Sequence, residues 1–224
     1  MSASKGLSAM IGRAISIPSS ARISIKALAA QGACTDATRE GLFTPDDWRL
    51  EPRLALAAMR RGLIDRGGVV VQARVDRLEP GALILAGGDS LAADAVILAC
   101  GFGGKTLCPE LAILEPIKGQ LLRFDGQGPH DGPILRAQAG YLAPGRDGAV
   151  VGATMEPGRD DLDIDPEATL RLKAEAVRLA PNLAWATPRP LSGIRATSPG
   201  GLPLVGPSVQ SGVWLAAGAR RKGW

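Results

Sequence analysis

The chain has 224 residues, 46% hydrophobic and 21% charged, which is enough to bury the core of one domain or two small ones. Its net charge is +4, its Lys and Arg are scattered apart from residues 220–222, and only 4% of its residues are aromatic. No apolar run approaches the roughly 20 residues of a transmembrane helix. We therefore expect neither a nucleic-acid partner nor a membrane partner.

The cysteines and the histidine do not form a metal-binding pattern. Cys34, Cys100 and Cys108 include no Cys-x-x-Cys pair, and the single histidine, His130, lies far from any cysteine along the chain. We expect no metal site, a solvated His130, and free thiols in a reducing, cytoplasmic compartment.

Residues 1–38 differ in composition from the rest of the chain. The first acidic residue is Asp36, and four basic residues precede it among Ser, Ala and Ile: Lys5, Arg13, Arg22 and Lys26. This composition is typical of an organellar transit peptide, but also of a poorly ordered N-terminal segment. We favour the second interpretation.

The first half of the remaining chain predicts a helix and several strands. A helix begins near Pro52 and ends before Gly67, and the β-branched residues 69–75 predict a strand. A hairpin is predicted between Leu83–Leu85 and Leu91. The apolar run Ala95–Cys100 predicts a strand buried on both faces of a parallel sheet, with the following glycine at the edge where ligands bind. An ordinary strand that ends in a turn is the alternative.

The second half predicts an antiparallel sheet, a helix and two returning strands. Short apolar segments separated by Gly, Pro and Asp turns begin at Leu114. Asp165 and Pro166 predict a helix start, with Leu170, Ala174 and Val177 on the buried face. Strands are then predicted near Leu191–Ile194 and, again of the buried type, at Val213–Ala217.

Six ordered motifs give the chain its strongest resemblance. They are Glu115–Gln120, Tyr141–Pro144, Gly152–Gly158, Ser192–Arg195, Gly201–Gly206 and Gly218–Gly223. Together they resemble the glycine oxidase and D-amino-acid oxidase family of flavoenzymes, from about Gly41 to Trp224. Through Gly152–Gly158 the chain is most similar to glycine oxidase.

The resemblance implies an α/β plus α+β fold. In it, the remnant of an FAD-binding Rossmann-like domain carries an inserted antiparallel-sheet domain that binds substrate. The FAD-binding part would comprise residues 39–108 and 198–224, and the substrate-binding part residues 109–197.

The same resemblance assigns the site residues. Arg195 matches the arginine that holds the substrate carboxylate, Tyr141 the tyrosine beside it, and Arg221 an arginine near both flavin and substrate. Residues that match the FAD-binding positions are Val75, Ala99, Cys100, Gly101, Gly218, Ala219, Arg220, Arg221, Lys222, Gly223 and Trp224.

The implied reaction is the oxidative deamination of glycine or another small amino acid, in thiamine biosynthesis. A hydride passes from the α-carbon to FAD, and oxygen as final acceptor gives hydrogen peroxide, while the imino acid releases ammonia on hydrolysis. A guanidinium suits this task, because it makes two parallel hydrogen bonds to a carboxylate and so orients the substrate. The substrate within this class, and whether the chain forms a homo-oligomer, stay open.

The chain also departs from the family pattern. Residues 1–40 contain no Gly-x-Gly-x-x-Gly turn, the motif that holds the FAD pyrophosphate at a helix N-terminus. Gly200 replaces an acidic residue, and Ala219 and Lys222 replace the usual His and Asn.

Two hypotheses about the function follow. In the first, the chain is a glycine-oxidase-like flavoenzyme, or a fragment of one whose missing part is supplied elsewhere. In the second, it is a truncated, non-catalytic chain that binds ligands weakly. Each site residue also has a simpler interpretation. Arg195 would then be a surface charge, Tyr141 a strand residue with a solvated hydroxyl, and residues 220–222 a solvated basic end.

Overall fold

The computed structural model describes residues 49–220, together with a short antiparallel pair formed by β1 (Arg22–Ser24) and β2 (Glu40–Leu42). Apart from β1, the N-terminal segment 1–38 lies outside the described residues, and so do the site residues 221–224.

The described chain forms two compact units, which we call the first and second units. The first comprises the described residues up to Val70 with Leu121–Ala153 and Pro166–Pro190. The second comprises Val71–Gln120, Thr154–Asp165 and the described residues from Leu191 onward. The domain boundaries that the sequence suggested stay a prediction.

The first unit begins with helix α1 (Pro52–Ile64), whose start at a proline confirms the sequence prediction. None of its residues is buried, and its apolar side chains, such as Leu56 and Met59, are 65% and 70% exposed. Among the described residues, no helix is long and apolar enough to span a membrane.

An antiparallel sheet forms the body of the first unit, as predicted. The end of β7 (Glu115–Asp125) pairs with β10 (Gly148–Gly152), which pairs with β9 (Gly140–Ala143), and β9 pairs with β8 (Leu135–Ala137). The sheet contributes Leu122, Phe124, Leu142 and Val151 to a buried core.

Helix α2 (Pro166–Leu179) supplies the other half of that core. The buried face carries Ala168, Leu172, Ala176 and Leu179, a stripe at helical spacing. The predicted buried face was wrong: Leu170 is 70% exposed, and the stripe that begins there turns away from the sheet. The capping signal locates the start of a helix, but it does not determine which side packs.

In the second unit, β3 (Val75–Glu79), β4 (Ala82–Leu85) and β5 (Ser90–Ala92) form an antiparallel meander, which confirms the predicted hairpin. The strand predicted over residues 69–75 is wrong, because strand structure begins only at Val75, where pairing with Leu85 begins. Val69 is 81% exposed. β-Branched residues alone do not make a strand without a pairing partner.

A second sheet of this unit contains the predicted parallel pair. β6 (Val96–Leu98) runs parallel to β14 (Val213–Ala217), and β13 (Leu204–Pro207) lies antiparallel on the other side of β14. One face packs on Leu111 and Leu114. The prediction that these strands are buried on both faces is wrong, since Ile97 is 69% and Trp214 49% exposed.

Two further strands complete the second unit around the start of β7. β11 (Glu156–Pro157) pairs with β7 at Ile117 and Lys118, and β12 (Arg189–Thr197) also pairs with β7. The strand predicted near Leu191 is thus confirmed, and so is the mixed α/β and antiparallel fold class. β12 carries Arg195 and brings it beside β7.

Candidate functional site

Arg195 carries a buried group without a partner. Its Nη1 atom is the one buried side-chain nitrogen or oxygen in residues 49–220 that makes no hydrogen bond to the protein. Buried donors are almost always paired, and leaving one unpaired costs about 1–3 kcal/mol, or more for a charged group. The guanidinium therefore suits an acceptor supplied by a ligand.

Gly119 on β7 lies directly against this guanidinium. A Cβ atom added at Gly119 would overlap Nη1 and would lie 2.6 Å from Nη2 and 2.7 Å from Cζ of Arg195. The sequence motif Glu115–Gln120 contains this glycine, but the motif alone does not mark Gly119 as a site residue. The importance of the glycine depends on its contact with Arg195, which lies on β12, a strand distant in sequence.

The residues on either side of Gly119 have protein partners. Lys118 is fully buried, and its ammonium donates a hydrogen bond to Asp161. That bond, with a second from Arg159, holds the pKa of the Asp161 carboxyl well below its usual range. Gln120 is also fully buried; its amide donates to the carbonyl of Asp165 (3.0 Å) and accepts from the backbone N–H of that residue (2.8 Å).

The turn after β14 lies beside Arg195. Ala219 forms a β-bridge with Thr197, and the backbone N–H of Arg220 donates to the carbonyl of Ala196 at 3.2 Å. Arg220 has a positive φ of 49°, and its Nη2 lies 3.8 Å from the sulfur of Met155. The structure thus brings together two of the segments that the sequence assigned to the site.

A third predicted segment lies at the same edge of the sheet as this turn. Because β6 and β14 are parallel, the residues after them, Ala99–Gly101 and Gly218–Arg220, follow the carboxyl ends of neighbouring strands. Ligands of open α/β sheets bind at such an edge. Gly218 has φ 72°, and an added Cβ would come within 3.1 Å of Leu114, so that close approach requires glycine there.

Two further predicted residues belong to other strands. Val75 begins β3, in the meander of the second unit, and Tyr141 belongs to the first unit. Tyr141 pairs across the sheet with Gly152, where an added Cβ would come within 3.1 Å of the tyrosine hydroxyl oxygen. Their roles, like those of Arg221, Lys222, Gly223 and Trp224, stay predictions.

An open depression of about 440 Å³ lies on the second unit. Its lining is mostly apolar, with Ile113, Val205 and Leu215 among its residues and Glu110 as the charged one. It contains none of the predicted site residues, so the candidate site rests on Arg195 and the sheet edge.

Comparison with known proteins assigns the chain to a family. The sequence family described as FAD dependent oxidoreductase (DAO) matches residues 4–224. The chain belongs to this family. This confirms the resemblance drawn from the six motifs.

Curated relatives resemble this chain over part of their length. It is 37% identical over 139 residues to glycine oxidase of Pseudomonas putida, an alignment that covers 59% of this chain and 38% of that protein. It is also 37% identical over 188 residues to the tRNA 5-methylaminomethyl-2-thiouridine biosynthesis bifunctional protein MnmC of a Caulobacter species, covering 78% of this chain and 29% of that one. The chain therefore spans about a third of the length of these relatives.

Solved structures show the same fold. Glycine oxidase from Geobacillus kaustophilus superimposes with a TM-score of 0.79 at 22% identity, covering 91% of this chain and 58% of that one. Iminodiacetate oxidase from a Chelativorans species gives a TM-score of 0.76 at 24% identity, covering 89% and 58%. These similarities confirm the predicted fold class.

Proposed function

We propose that this chain carries the substrate-binding arginine of an FAD-dependent amine oxidoreductase whose substrate bears a carboxylate beside the amine. The observation that carries the proposal is the buried, unpartnered Nη1 of Arg195. A carboxylate accepts two parallel hydrogen bonds from a guanidinium, and in a partly desolvated site these bonds are strong. The neighbouring cation on β7, Lys118, is already paired with Asp161 and is not available to such a ligand.

The sheet edge of the second unit fits the cofactor. Ala99–Gly101 and Gly218–Arg220 present backbone at the carboxyl ends of two parallel strands, and Gly101 and Gly218 both have positive φ values, 57° and 72°. Glycine at these positions lets a flat ligand approach the backbone closely. We propose that these residues hold FAD, together with Val75 and residues 221–224.

FAD, when bound, supplies the acceptor for the hydride of the substrate α-carbon. The contribution of this chain is orientation, because Arg195 fixes the carboxylate. For Tyr141 we propose a role in substrate binding, which rests on its family motif. Fixing the carboxylate fixes the adjacent carbon, and such positioning supplies much of the rate in reactions of this class. The proposed substrate is glycine or a small amino acid, with oxygen as final acceptor and a role in thiamine biosynthesis.

A second candidate substrate is a modified nucleoside amine. The match to the tRNA 5-methylaminomethyl-2-thiouridine biosynthesis protein covers more of this chain, 78%, than the match to glycine oxidase. A third candidate is a chain that binds carboxylates without oxidising them, because the unpartnered Nη1 of Arg195 suits a bound carboxylate whether or not it is oxidised.

The test uses the purified 224-residue chain with added FAD. The proposal predicts a bound-flavin spectrum that bleaches anaerobically with glycine and recovers in air with release of hydrogen peroxide. Arg195→Ala should abolish bleaching and keep the bound-flavin spectrum. The matched control is Arg189→Ala, which alters the same strand at an exposed arginine paired with Asp125.

The outcomes separate the candidates. Bleaching by a methylaminomethyl uridine and not by glycine would favour the second. Carboxylate binding without bound flavin would favour the third. Equal bleaching of Arg195→Ala and the unaltered chain by glycine would contradict the proposed role of Arg195.

A further inference from the structure

Gly119 is a buried glycine whose backbone does not require glycine. It lies in β7, between the fully buried Lys118 and Gln120, and its φ is outside the positive range. Alanine could adopt the same extended conformation without strain. The reason for glycine at this position must therefore be space.

The space at Gly119 is filled by Arg195. The atoms closest to an added Cβ are the three terminal guanidinium atoms of Arg195, all at less than 3.0 Å, a separation that real Cβ atoms do not show. Gly193 provides the contrast on the strand that carries Arg195: an added Cβ there would meet no atom within 4 Å. Gly119 on β7 thus leaves space for the guanidinium, whereas Gly193 on β12 faces open space.

The contact explains how an arginine keeps a buried, unpaired Nη1. An isolated guanidinium would turn towards water, where its five N–H groups are solvated. With no side chain at Gly119, the planar group can lie against the strand, in the space that a side chain at this position would fill. A ligand then finds donors that need little reorientation, which raises its affinity.

We propose that Gly119 is a positioning residue for carboxylate binding by Arg195. This inference rests on the proposed function, because it takes the ligand of Arg195 to be a carboxylate. A methyl group at position 119 would push the flexible guanidinium outward, towards solvent, and leave the strand itself intact. The variant should therefore fold normally and bind carboxylates poorly.

The first test measures the reactivity of Arg195 in the full chain. Phenylglyoxal modifies accessible guanidinium groups, and peptide mass spectrometry reports each arginine separately. Arg195 should react several times faster in Gly119→Ala than in the unaltered chain, while Gly193→Ala matches the unaltered chain and Arg189 serves as the internal reference. An unchanged rate at Arg195 in Gly119→Ala would overturn the inference, whether or not the chain binds a carboxylate.

The second test measures affinity for glycolate, a carboxylate without an oxidisable amine, by calorimetry. Gly119→Ala should weaken binding about tenfold or more, the loss expected when a charged hydrogen bond is misplaced. Its melting temperature should not fall, since the displaced guanidinium gains solvation. Gly193→Ala should bind as the unaltered chain does.

These two tests separate two kinds of failure. If the unaltered chain binds glycolate and Gly119→Ala binds it equally well, the positioning role is wrong and the proposed function stands. If the unaltered chain does not bind glycolate and glycolate does not protect Arg195 from phenylglyoxal, the carboxylate site is wrong. A large fall in melting temperature for Gly119→Ala would show a purely structural glycine and would also overturn the inference.

Discussion

Two cations of the second unit, Lys118 on β7 and Arg195 on β12, differ in whether the protein supplies a partner for their buried donors. The ammonium of Lys118 is fully buried and paired with Asp161, which Arg159 also contacts. The guanidinium of Arg195 has a buried Nη1 with no partner in the described part of the chain. The two cations thus differ in whether the described part of the chain supplies an acceptor.

The difference shows how a structural charge can be told from a ligand-binding one. A buried ion pair fixes loops and strands, and removing one partner leaves the other charge unpaired. An unpaired buried donor costs free energy in the unliganded chain, and an acceptor supplied by a ligand would recover that free energy. Lys118 thus fixes the fold around Gly119, and Arg195 uses the surface that this fold provides.

The largest effect is expected from Arg195→Lys. Lysine keeps the positive charge, but it cannot donate two parallel hydrogen bonds to a carboxylate. Glycolate affinity should fall about tenfold or more, and the melting temperature should stay unchanged. Calorimetry and thermal unfolding measure the two quantities, and full affinity in the lysine variant would show that charge alone suffices.

A smaller effect, on stability only, is expected from Asp161→Asn. The substitution leaves the Lys118 ammonium buried without a counter-charge, so the melting temperature should fall by several degrees. Replacing Lys118 by Met in the same chain should restore much of the loss, because no unpaired charge then remains. Glycolate affinity should change much less than in Arg195→Lys. Loss of glycolate binding with unchanged stability would reverse the roles that we give to the two cations.

The smallest expected effect is on the pH dependence of stability, and it concerns Glu110, a carboxylate that accepts hydrogen bonds from three neighbouring groups. Its carboxylate accepts hydrogen bonds from the Cys108 thiol (2.7 Å), the Ser208 hydroxyl (2.8 Å) and the Val209 amide (2.6 Å). These bonds, with that from Cys108 the strongest contribution, lower the pKa of Glu110 from 4.5 to about 2. Like Lys118, Glu110 is a charge that the fold satisfies internally.

A lowered carboxyl pKa makes stability depend on pH in a defined window. The stabilisation by Glu110 is fully present above pH 4.5 and is lost as the pH falls towards 2, because the folded chain must then take up a proton that it binds weakly. The melting temperature of the unaltered chain should therefore fall more steeply over this window than that of Glu110→Gln. Equal slopes for the two chains would contradict the assignment.

The sequence predicted what local signals determine. Pro52 and Pro166 marked helix starts, Gly and Pro turns marked the antiparallel strands, and the motif around Arg195 marked the arginine that proves to carry the unpaired donor. These features depend on residues adjacent in the chain. They could be predicted because turn and capping chemistry acts over a few residues.

Other features depend on contacts that adjacent residues do not reveal. Leu170 and Leu172 are both apolar, and only packing against the sheet decides that Leu172 is buried. An apolar strand such as β6 gives no sign that Ile97 is exposed. The contact between Gly119 and Arg195 could not be predicted, because the neighbouring side chain comes from another strand.

Carboxylate binding by Arg195 is the central role proposed for this chain, and amide NMR of the full chain tests it most directly. Titration with glycolate should give saturable shifts at Gly119, which lies against the guanidinium, and at Ala196 and Arg220, whose backbones pair beside Arg195. Arg195→Ala should abolish these shifts, and Arg189→Ala should preserve them. The same shifts in Arg195→Ala, or no shifts in the unaltered chain, would contradict the claim.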